Sequence, residues 1–179
     1  GVVRAYGHED ANPDPNKGGL HNNYSRNKLG ITVNMKTAKG REIIDRLIGA
    51  SSIVTENFAP GVMERWGLTY DKLQALSPNV IFARMSGFGH SGPYEEYRSY
   101  GPVVQAACGM SFISGLPGRE PSGWGLSYMD NQAAYPPSSA LLMAIYQRNR
   151  TGKGTEIDVS AVEAGIHTMG PVMLDVSVN

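Results

Sequence analysis

Runs of β-branched and aromatic residues alternate along the chain with stretches whose apolar positions recur at helical spacing. The β-rich runs predict strands at residues 29–35, 52–55, 80–85 and 154–159. The apolar positions between Ile43 and Ile48 share one face of a helix that Thr37 is expected to cap. Because strands and helices alternate, we expect an α/β fold in which helical crossovers connect parallel strands.

Shorter helices and loops account for the rest of the pattern. Helices are predicted from Pro60 to near Gly67 and over residues 70–76, 100–112, 140–148 and 161–172, with an interruption at Gly170-Pro171. Asn, Asp, Pro and Gly dominate the start of the chain, so residues 1–26 are predicted to form an exposed loop. Residues 86–93 and 115–125 are rich in glycine and are also predicted loops.

Composition narrows the classes of partner. The chain has 179 residues, enough for one domain with a real core, and its 16 basic and 16 acidic residues cancel. A neutral chain has no general attraction for nucleic acid or anionic membranes, and no apolar run is long enough to span a bilayer.

The lone cysteine, Cys108, forms no internal disulfide and is expected to be a small buried side chain, as in a cytoplasmic protein. Both termini, Gly1 and Asn179, look cut, which predicts an incomplete chain.

Residues 87–92 match the letters of a dinucleotide-binding motif, G-x-G-x-x-G, but not its physics. That motif needs a helix N-terminus directed at a pyrophosphate within one continuous strand–loop–helix unit. Here Pro93 follows at once, residues 94–100 show no amphipathic helix, and no acidic residue stands about twenty positions later to bind a ribose. We therefore expect a glycine-dense turn that allows a close approach of the backbone.

A series of short motifs carries a resemblance to a known family. The motifs are Asn27-Lys28-Leu29-Gly30, Val33-Asn34-Met35-Lys36-Thr37, Glu56-Asn57-Phe58-Ala59-Pro60-Gly61, Trp66-Gly67-Leu68, Ser86-Gly87-Phe88-Gly89 with Gly92-Pro93, Gln105-Ala106, Met129-Asp130, and Thr151-Gly152-Lys153-Gly154 with Asp158-Val159-Ser160. In order and spacing they resemble the class III CoA-transferases of CaiB/BaiF type, which include formyl-CoA and carnitine CoA-transferases. Each motif alone is loose, whereas the full series over residues 27–164 is specific.

This resemblance implies a Rossmann-like parallel sheet with flanking helices. Residues 1–179 would be a partial large CoA-binding domain that lacks an N-terminal strand–helix unit and a C-terminal small domain. The intact protein would form an interlocked homodimer, and the isolated piece would be inactive. Acyl-CoA and a carboxylic acid acceptor are the implied partners, so CoA is a substrate, and neither a tightly bound cofactor nor a metal is expected.

Asp130 falls at the position of the family's nucleophile, which the resemblance makes the catalytic residue. In that family an aspartate attacks the acyl-CoA thioester and then carries CoA as an aspartyl thioester. A carboxylate is a competent nucleophile toward an activated acyl group. The alternative is that Asp130 only caps a helix, since Asp is a preferred N-cap. Pro136-Pro137 departs from the family pattern, and we expect the next helix to begin near Pro136 rather than at Asn131.

The resemblance also implies a CoA site built from four segments. Val33, Asn34, Met35 and Lys36 would lie beside the adenine and ribose; Asn57, Phe58 and Ala59 would form a loop against the nucleotide; Arg65 and Arg98 would bind phosphates; and Arg98, Ser99, Tyr100 and Gly101 would line the path to the thioester. Taken singly, a lysine or arginine is more often a solvated surface charge, and a phenylalanine more often belongs to the core.

The sequence is also compatible with two other functions, a racemase and a non-catalytic CoA-binding protein. The α-methylacyl-CoA racemases of the same superfamily place a His-Asp pair just after the GFG loop, where this chain has Tyr100-Gly101-Pro102. A tyrosine with its ordinary pKa near 10 is a poor base at neutral pH, which favours a transferase. A non-catalytic CoA-binding protein is the second alternative. The four histidines are scattered and show no metal-ligand spacing.

Overall fold

The computed structural model describes residues 18–179. The chain divides into two compact units between Asn34 and Met35, and the described residues of the first unit are 18–34. In the first unit, helix α1 spans Gly19–Tyr24, and the Ser25 hydroxyl lies 3.1 Å from Nδ1 of His21. This helix corrects part of the exposed loop predicted for residues 1–26, although most of its residues are solvent-exposed. Residues 1–17 of that predicted loop lie outside the described residues.

The strand predicted at residues 29–35 is wrong. Residues 28–34 have no regular secondary structure, and the side chains of Leu29 and Ile31 are 102% and 65% exposed. A β-rich sequence becomes a strand only where a neighbouring strand pairs with its backbone. None of the strands in the described part of the chain pairs with this segment.

The second unit contains a three-stranded parallel sheet, which confirms the predicted sheet type. Strands β1 (Ile53–Glu56), β2 (Ile81–Ser86) and β3 (Thr155–Ser160) lie in the order β1-β2-β3. Strand β2 is the central strand and is buried almost throughout, as expected for a parallel strand covered on both faces. The register places Glu56 beside Arg84 and Arg84 beside Asp158, which brings three charged residues from separate strands together.

Helices flank the sheet along the rest of the chain. They are α2 (Ala38–Gly49), α3 (Val62–Arg65), α4 (Tyr70–Leu76), α5 (Gly101–Ala107), α6 (Tyr128–Gln132), α7 (Tyr135–Thr151), α8 (Ala161–Thr168) and α9 (Gly170–Val178). The Thr37 hydroxyl accepts a hydrogen bond of 3.0 Å from the Gly40 amide, which confirms the predicted cap of α2. Within residues 18–179, no helix combines the length and apolar character needed to cross a membrane.

Two hydrophobic clusters hold these layers together. The first contains Leu73, Val80 and Phe82, all completely buried, together with Ile48, Met63 and Leu68. Burial of each such side chain contributes about 1.5–3 kcal/mol. The second cluster joins α5, α6 and α8 through nine buried residues that include Cys108, Met129 and Ala161. Because Met129 anchors α6 in this cluster, the residue that follows it, Asp130, is held in a fixed place.

Candidate active site

A cleft of about 520 Å³ opens at the carboxyl ends of the three strands. Its walls come from the residues that directly follow each strand: Asn57–Pro60 after β1, Gly87 after β2 and Ala161 after β3. Ligands of open parallel α/β sheets bind at this edge, because the loops that follow the strands converge there. The cleft is therefore the candidate active site.

Asp130 lines this cleft and is solvent-exposed, while its neighbour Met129 is 1% exposed and fixed in the core. Asp130 is the third residue of α6, and its amide donates a 3.1 Å hydrogen bond to the Ser127 carbonyl. The N-cap position belongs to Ser127, so the alternative reading of Asp130 as a helix cap is wrong. Helix α7 begins at Tyr135, which agrees with the predicted start near Pro136.

Gly101 packs directly against the Asp130 carboxylate. A Cβ atom built at Gly101 would lie 2.9 Å from Oδ1 of Asp130 and 2.7 Å from Cβ of Ser127. Both distances are shorter than ordinary van der Waals contact, so only glycine leaves the carboxylate where it is. Gly101 is buried at the start of α5, immediately after the cleft residue Tyr100.

The resemblance to the class III CoA-transferases implies that replacing Gly101 with alanine lowers kcat/KM for CoA transfer by about tenfold to a hundredfold, because the new methyl group displaces the Asp130 carboxylate. Initial rates of the whole protein at varied acyl-CoA concentration measure this effect. The control is Gly170→Ala, since a Cβ at Gly170 has no neighbour within 4 Å. Wild-type kcat/KM in Gly101→Ala, with the variant folded, would contradict the assigned geometry.

The loop that follows β1 presents an aromatic ring to the cleft. The Phe58 amide donates a 2.7 Å hydrogen bond to Oε2 of Glu56, and the Phe58 ring meets Trp66 edge-on at 5.3 Å between centroids. Phe58 is 45% exposed, so its ring is accessible to a ligand and is not a core side chain. Asn57 and Ala59 lie beside it on the same wall of the cleft.

Arg98, Ser99 and Tyr100 also line the cleft. Ser99 rests against the glycine-rich loop after β2, where a Cβ built at Gly87 would lie 1.6 Å from the Ser99 hydroxyl oxygen. This contact agrees with the expected close approach of the backbone in that loop. No helix follows residues 87–92 directly, since α5 begins at Gly101, so these glycines do not open a helix as the G-x-G-x-x-G motif requires.

A second cavity of about 510 Å³ shares Ala59, Pro60 and Arg98 with the cleft. Arg65 lines this second cavity rather than the cleft itself. The two arginines predicted to bind phosphates therefore both line the second cavity, which adjoins the cleft. Guanidinium groups suit phosphate oxygens because their planar donors match them geometrically.

Met35 and Lys36, two of the four residues predicted to lie beside adenine and ribose, are not among the residues that line the cleft. Met35 is partly buried against the first hydrophobic cluster, and its carbonyl accepts a 3.1 Å hydrogen bond from Nε of Arg41. Lys36 is exposed in the turn before α2. Val33 and Asn34 belong to the first unit, so their role at the adenine and ribose remains a prediction.

A cluster of charged residues beside the cleft was not foreseen from the sequence. The Arg84 side chain, 10% exposed, contacts Glu56 at 3.0 Å, Glu64 at 2.6 Å and Glu156 at 3.5 Å. Burial disfavours the charged guanidinium, but the hydrogen bonds that Arg84 donates to Glu56 and Glu64 outweigh this effect and raise the Arg84 pKa. In the sequence, the sign of this cluster is that Arg84 lies within the apolar run of β2, because a buried charge requires partners of opposite charge.

His90 completes this cluster. Its Nε2 atom lies 3.1 Å from Oε1 of Glu56, and its Nδ1 atom lies 3.2 Å from Oδ1 of Asp158. Among the described residues, the buried Nε2 atom has no hydrogen-bond partner of good geometry, so its contact with Glu56 is an ion pair when the ring is protonated. The Glu56 carboxylate, helped by Asp158, raises the pKa of His90 against the opposing effects of burial and Arg84.

Comparison with known proteins assigns the family. The sequence profile described as CoA-transferase family III matches residues 2–179. The chain belongs to CoA-transferase family III. It is 38% identical over 145 residues to the succinyl-CoA–D-citramalate CoA-transferase of Chloroflexus aurantiacus. This match covers 81% of this chain and 36% of that protein.

Two further relatives agree with this family III assignment. The formyl-CoA:oxalate CoA-transferase of Streptomyces avermitilis is 36% identical over 138 residues, covering 77% of this chain and 34% of the relative. The crystal structure of a CAIB/BAIF family protein from Brucella suis superposes with a TM-score of 0.80 at 33% identity, covering 84% of this chain and 40% of that one. The chain thus spans about a third of the length of the curated relatives it matches.

Proposed function

We propose that the whole protein transfers CoA from an acyl-CoA thioester to a free carboxylic acid, with Asp130 as the nucleophile. The observation that carries the proposal is the position of Asp130. Its exposed carboxylate lies in a cleft at the carboxyl ends of the strands, together with Arg98 and residues 57–60 after β1, called the Phe58 loop. The named relatives act on CoA thioesters and acids, which supports the same substrate class for this protein.

The proposed chemistry balances without an added reactant. A carboxylate oxygen of Asp130 attacks the thioester carbonyl, and the carbon–sulfur bond breaks to leave an acyl-aspartyl anhydride and the CoA thiolate. The thiolate then attacks the aspartyl carbonyl, which releases the donor acid and leaves an aspartyl-CoA thioester. The acceptor carboxylate then attacks the aspartyl-CoA thioester, which releases the CoA thiolate and leaves an anhydride between the acceptor and Asp130. The thiolate attacks the acceptor's carbonyl, so the acceptor leaves as its CoA thioester and the Asp130 carboxylate is restored.

Several cleft residues fit the binding of CoA by their chemistry. The exposed ring of Phe58 offers an apolar face, while Arg65 and Arg98 offer guanidinium groups along the second cavity. CoA brings phosphates, an aromatic base and a long flexible arm, so it requires this combination of cations and apolar surface. We include Asn57, Ala59, Ser99, Tyr100 and Gly101 in the proposed site because they line the cleft or adjoin Asp130.

A racemase would need a proton acceptor beside the carbon next to the thioester. Among residues 18–179, no histidine lines the cleft, and Gly101 has no side chain to supply a base. His90, the nearest histidine along the chain to this region, lies between Glu56 and Asp158 and lines the second cavity. We therefore propose the transferase rather than the racemase activity.

The whole protein, mixed with an acyl-CoA and a panel of free carboxylic acids, is expected to produce the acceptor's CoA thioester and release the donor acid. Chromatography of the CoA esters measures the exchange. Racemisation of a chiral 2-methylacyl-CoA without any exchange would overturn the proposal in favour of the racemase, and binding of CoA esters without either reaction would favour a non-catalytic role.

We also propose that the whole protein acts as a homodimer in the cytoplasm. Large apolar side chains are exposed on α7 and α9, among them Leu142, Met143, Leu174 and Val176. An exposed apolar surface of this kind is typical of a face that further chain or a second subunit covers. The absence of an internal disulfide is compatible with a reducing compartment.

A further inference from the structure

The Phe58 loop is connected to His90 through one carboxylate. Oε2 of Glu56 accepts the hydrogen bond from the Phe58 amide at 2.7 Å, while Oε1 of the same side chain contacts His90 at 3.1 Å and Arg84 at 3.0 Å. The Glu56 side chain is 2% exposed, so water does not compete strongly for these contacts. The orientation of this carboxylate therefore controls a backbone donor in the wall of the cleft.

Asp158 on β3 holds His90 in place through hydrogen bonds to its backbone and to Ser91. The His90 backbone amide donates to both oxygens of the Asp158 carboxylate at 3.0 Å, and the Ser91 hydroxyl donates to Oδ2 of Asp158 at 3.1 Å. The imidazole thus bridges Glu56 at the end of β1 and Asp158 within β3, and only the protonated ring carries a positive charge and an N–H on both nitrogens that face these carboxylates. A neutral ring has one N–H, so one of its nitrogens faces a carboxylate with a lone pair.

We propose that His90 is a positioning residue for the active site, whose imidazolium holds Glu56 and, through Glu56, the Phe58 loop in the conformation that binds the CoA thioester. This inference rests on the proposed function, because it assigns a binding role to the Phe58 loop. Deprotonation of His90 frees the Glu56 carboxylate from one of its two cationic neighbours and loosens the loop. The affinity for the CoA ester then falls as the pH rises.

The charges around His90 favour its protonation. Glu56 on β1, Glu64 on α3, and Glu156 and Asp158 on β3 supply four carboxylates, which the single guanidinium of Arg84 does not balance. The cavity that His90 lines also contains Arg65, Arg98, Glu95 and Glu96, whose charges cancel in pairs. The imidazolium adds the second positive charge that the acidic cluster lacks.

The sign of the pH dependence follows from these contacts. The pKa of His90 is raised above its ordinary value of 6.5 by Glu56, so the stabilising contact is fully present below 6.5 and is lost as the pH rises through the folded-state pKa. Burial alone would raise the pKa of Glu56, but contacts with His90, the Phe58 amide and Arg84 hold it below 4.5, so Glu56 stays ionised throughout this range.

Hydrogen–deuterium exchange of the peptide that contains Phe58 tests the proposal in the whole protein. At about pH 6 the Phe58 amide is expected to exchange about fivefold to tenfold more slowly in wild type than in His90→Gln, and at about pH 9 this ratio is expected to fall to about one. Comparison of the two proteins at each pH cancels the intrinsic pH dependence of exchange. Over the same range, KM for the acyl-CoA is expected to rise in wild type and to stay flat in the variant.

Two further variants serve as controls. His167→Gln removes an exposed histidine in α8, and its exchange is expected to match wild type at every pH. Asp158→Asn removes the second carboxylate from His90, which is expected to move the wild-type midpoint to lower pH and tests the proposal even if His90→Gln does not fold. Equal protection of Phe58 in wild type and His90→Gln at about pH 6, or an unmoved midpoint in Asp158→Asn, overturns the proposal. Hydrogen–deuterium exchange of the Phe58 peptide does not depend on turnover. If the expected exchange is observed but the transferase assay fails, the proposed function is contradicted and the role of His90 in holding the loop is not.

Discussion

Replacing Asp130 with asparagine or alanine is expected to lower kcat for CoA transfer by about a thousandfold or more, since Asp130 is the only carboxylate among the described residues that line the cleft. The fold is expected to survive, because Asp130 is exposed and α6 is anchored by the buried Met129. Exchange of CoA between an acyl-CoA and an acid measures the effect, and the circular dichroism spectrum shows whether the variant has folded.

Asp71 provides a matched control. It is also an exposed aspartate in the first turn of a short helix, α4, but it is absent from the lining of the cleft. Asp71→Asn is expected to retain wild-type kcat within about twofold. Full transfer activity in Asp130→Ala would remove the mechanistic claim, and an equal loss in Asp71→Asn would show that the effect is structural.

Replacing Arg84 with methionine is expected to lower the free energy of unfolding by about 3 kcal/mol or more. Methionine fills much of the volume, but Glu56, 2% exposed, is left as a buried carboxylate without its guanidinium. Urea unfolding, with the slope checked for a change in the surface exposed, measures the loss. Arg150, an exposed residue on α7 that stacks on Tyr146, offers the control: Arg150→Met is expected to change stability by less than about 0.5 kcal/mol.

A double variant separates a lost pair from a general disturbance of β2. Since Glu56→Gln removes the charge that Arg84→Met leaves uncompensated, the double variant is expected to be more stable than the sum of the two single losses predicts. Additive losses, or a cost below about 1 kcal/mol for Arg84→Met alone, would show that the acidic cluster does not depend on this arginine.

Local patterns predicted the sheet and most helices because their signals lie within a few residues. Helix α4 spans residues 70–76 as predicted, where Thr69 caps it with a 3.4 Å hydrogen bond and Leu73 is fully buried. Residues 29–35 carry an equally good strand signal but lack a partner strand among the described residues. Whether a partner exists is a property of the fold and not of the segment itself.

Some residues of the candidate site were predicted from the sequence, and others were missed. The resemblance predicted Asp130, Phe58 and Arg98, and the structure brings all three to one cleft. Helix α6 was missed because five residues are too few to show a helical period. The contacts of His90 were missed because its carboxylate partners lie on β1 and β3, which only the strand register brings together.

Trapping of the intermediate with hydroxylamine tests the central claim most directly. The whole protein is incubated with an acyl-CoA and hydroxylamine, digested, and examined by mass spectrometry for conversion of a carboxylate to a hydroxamate. The account predicts this modification on the peptide that contains Asp130, dependent on the acyl-CoA and absent from Asp130→Ala. Turnover with no hydroxamate at Asp130, or with the modification on a different carboxylate, would contradict it.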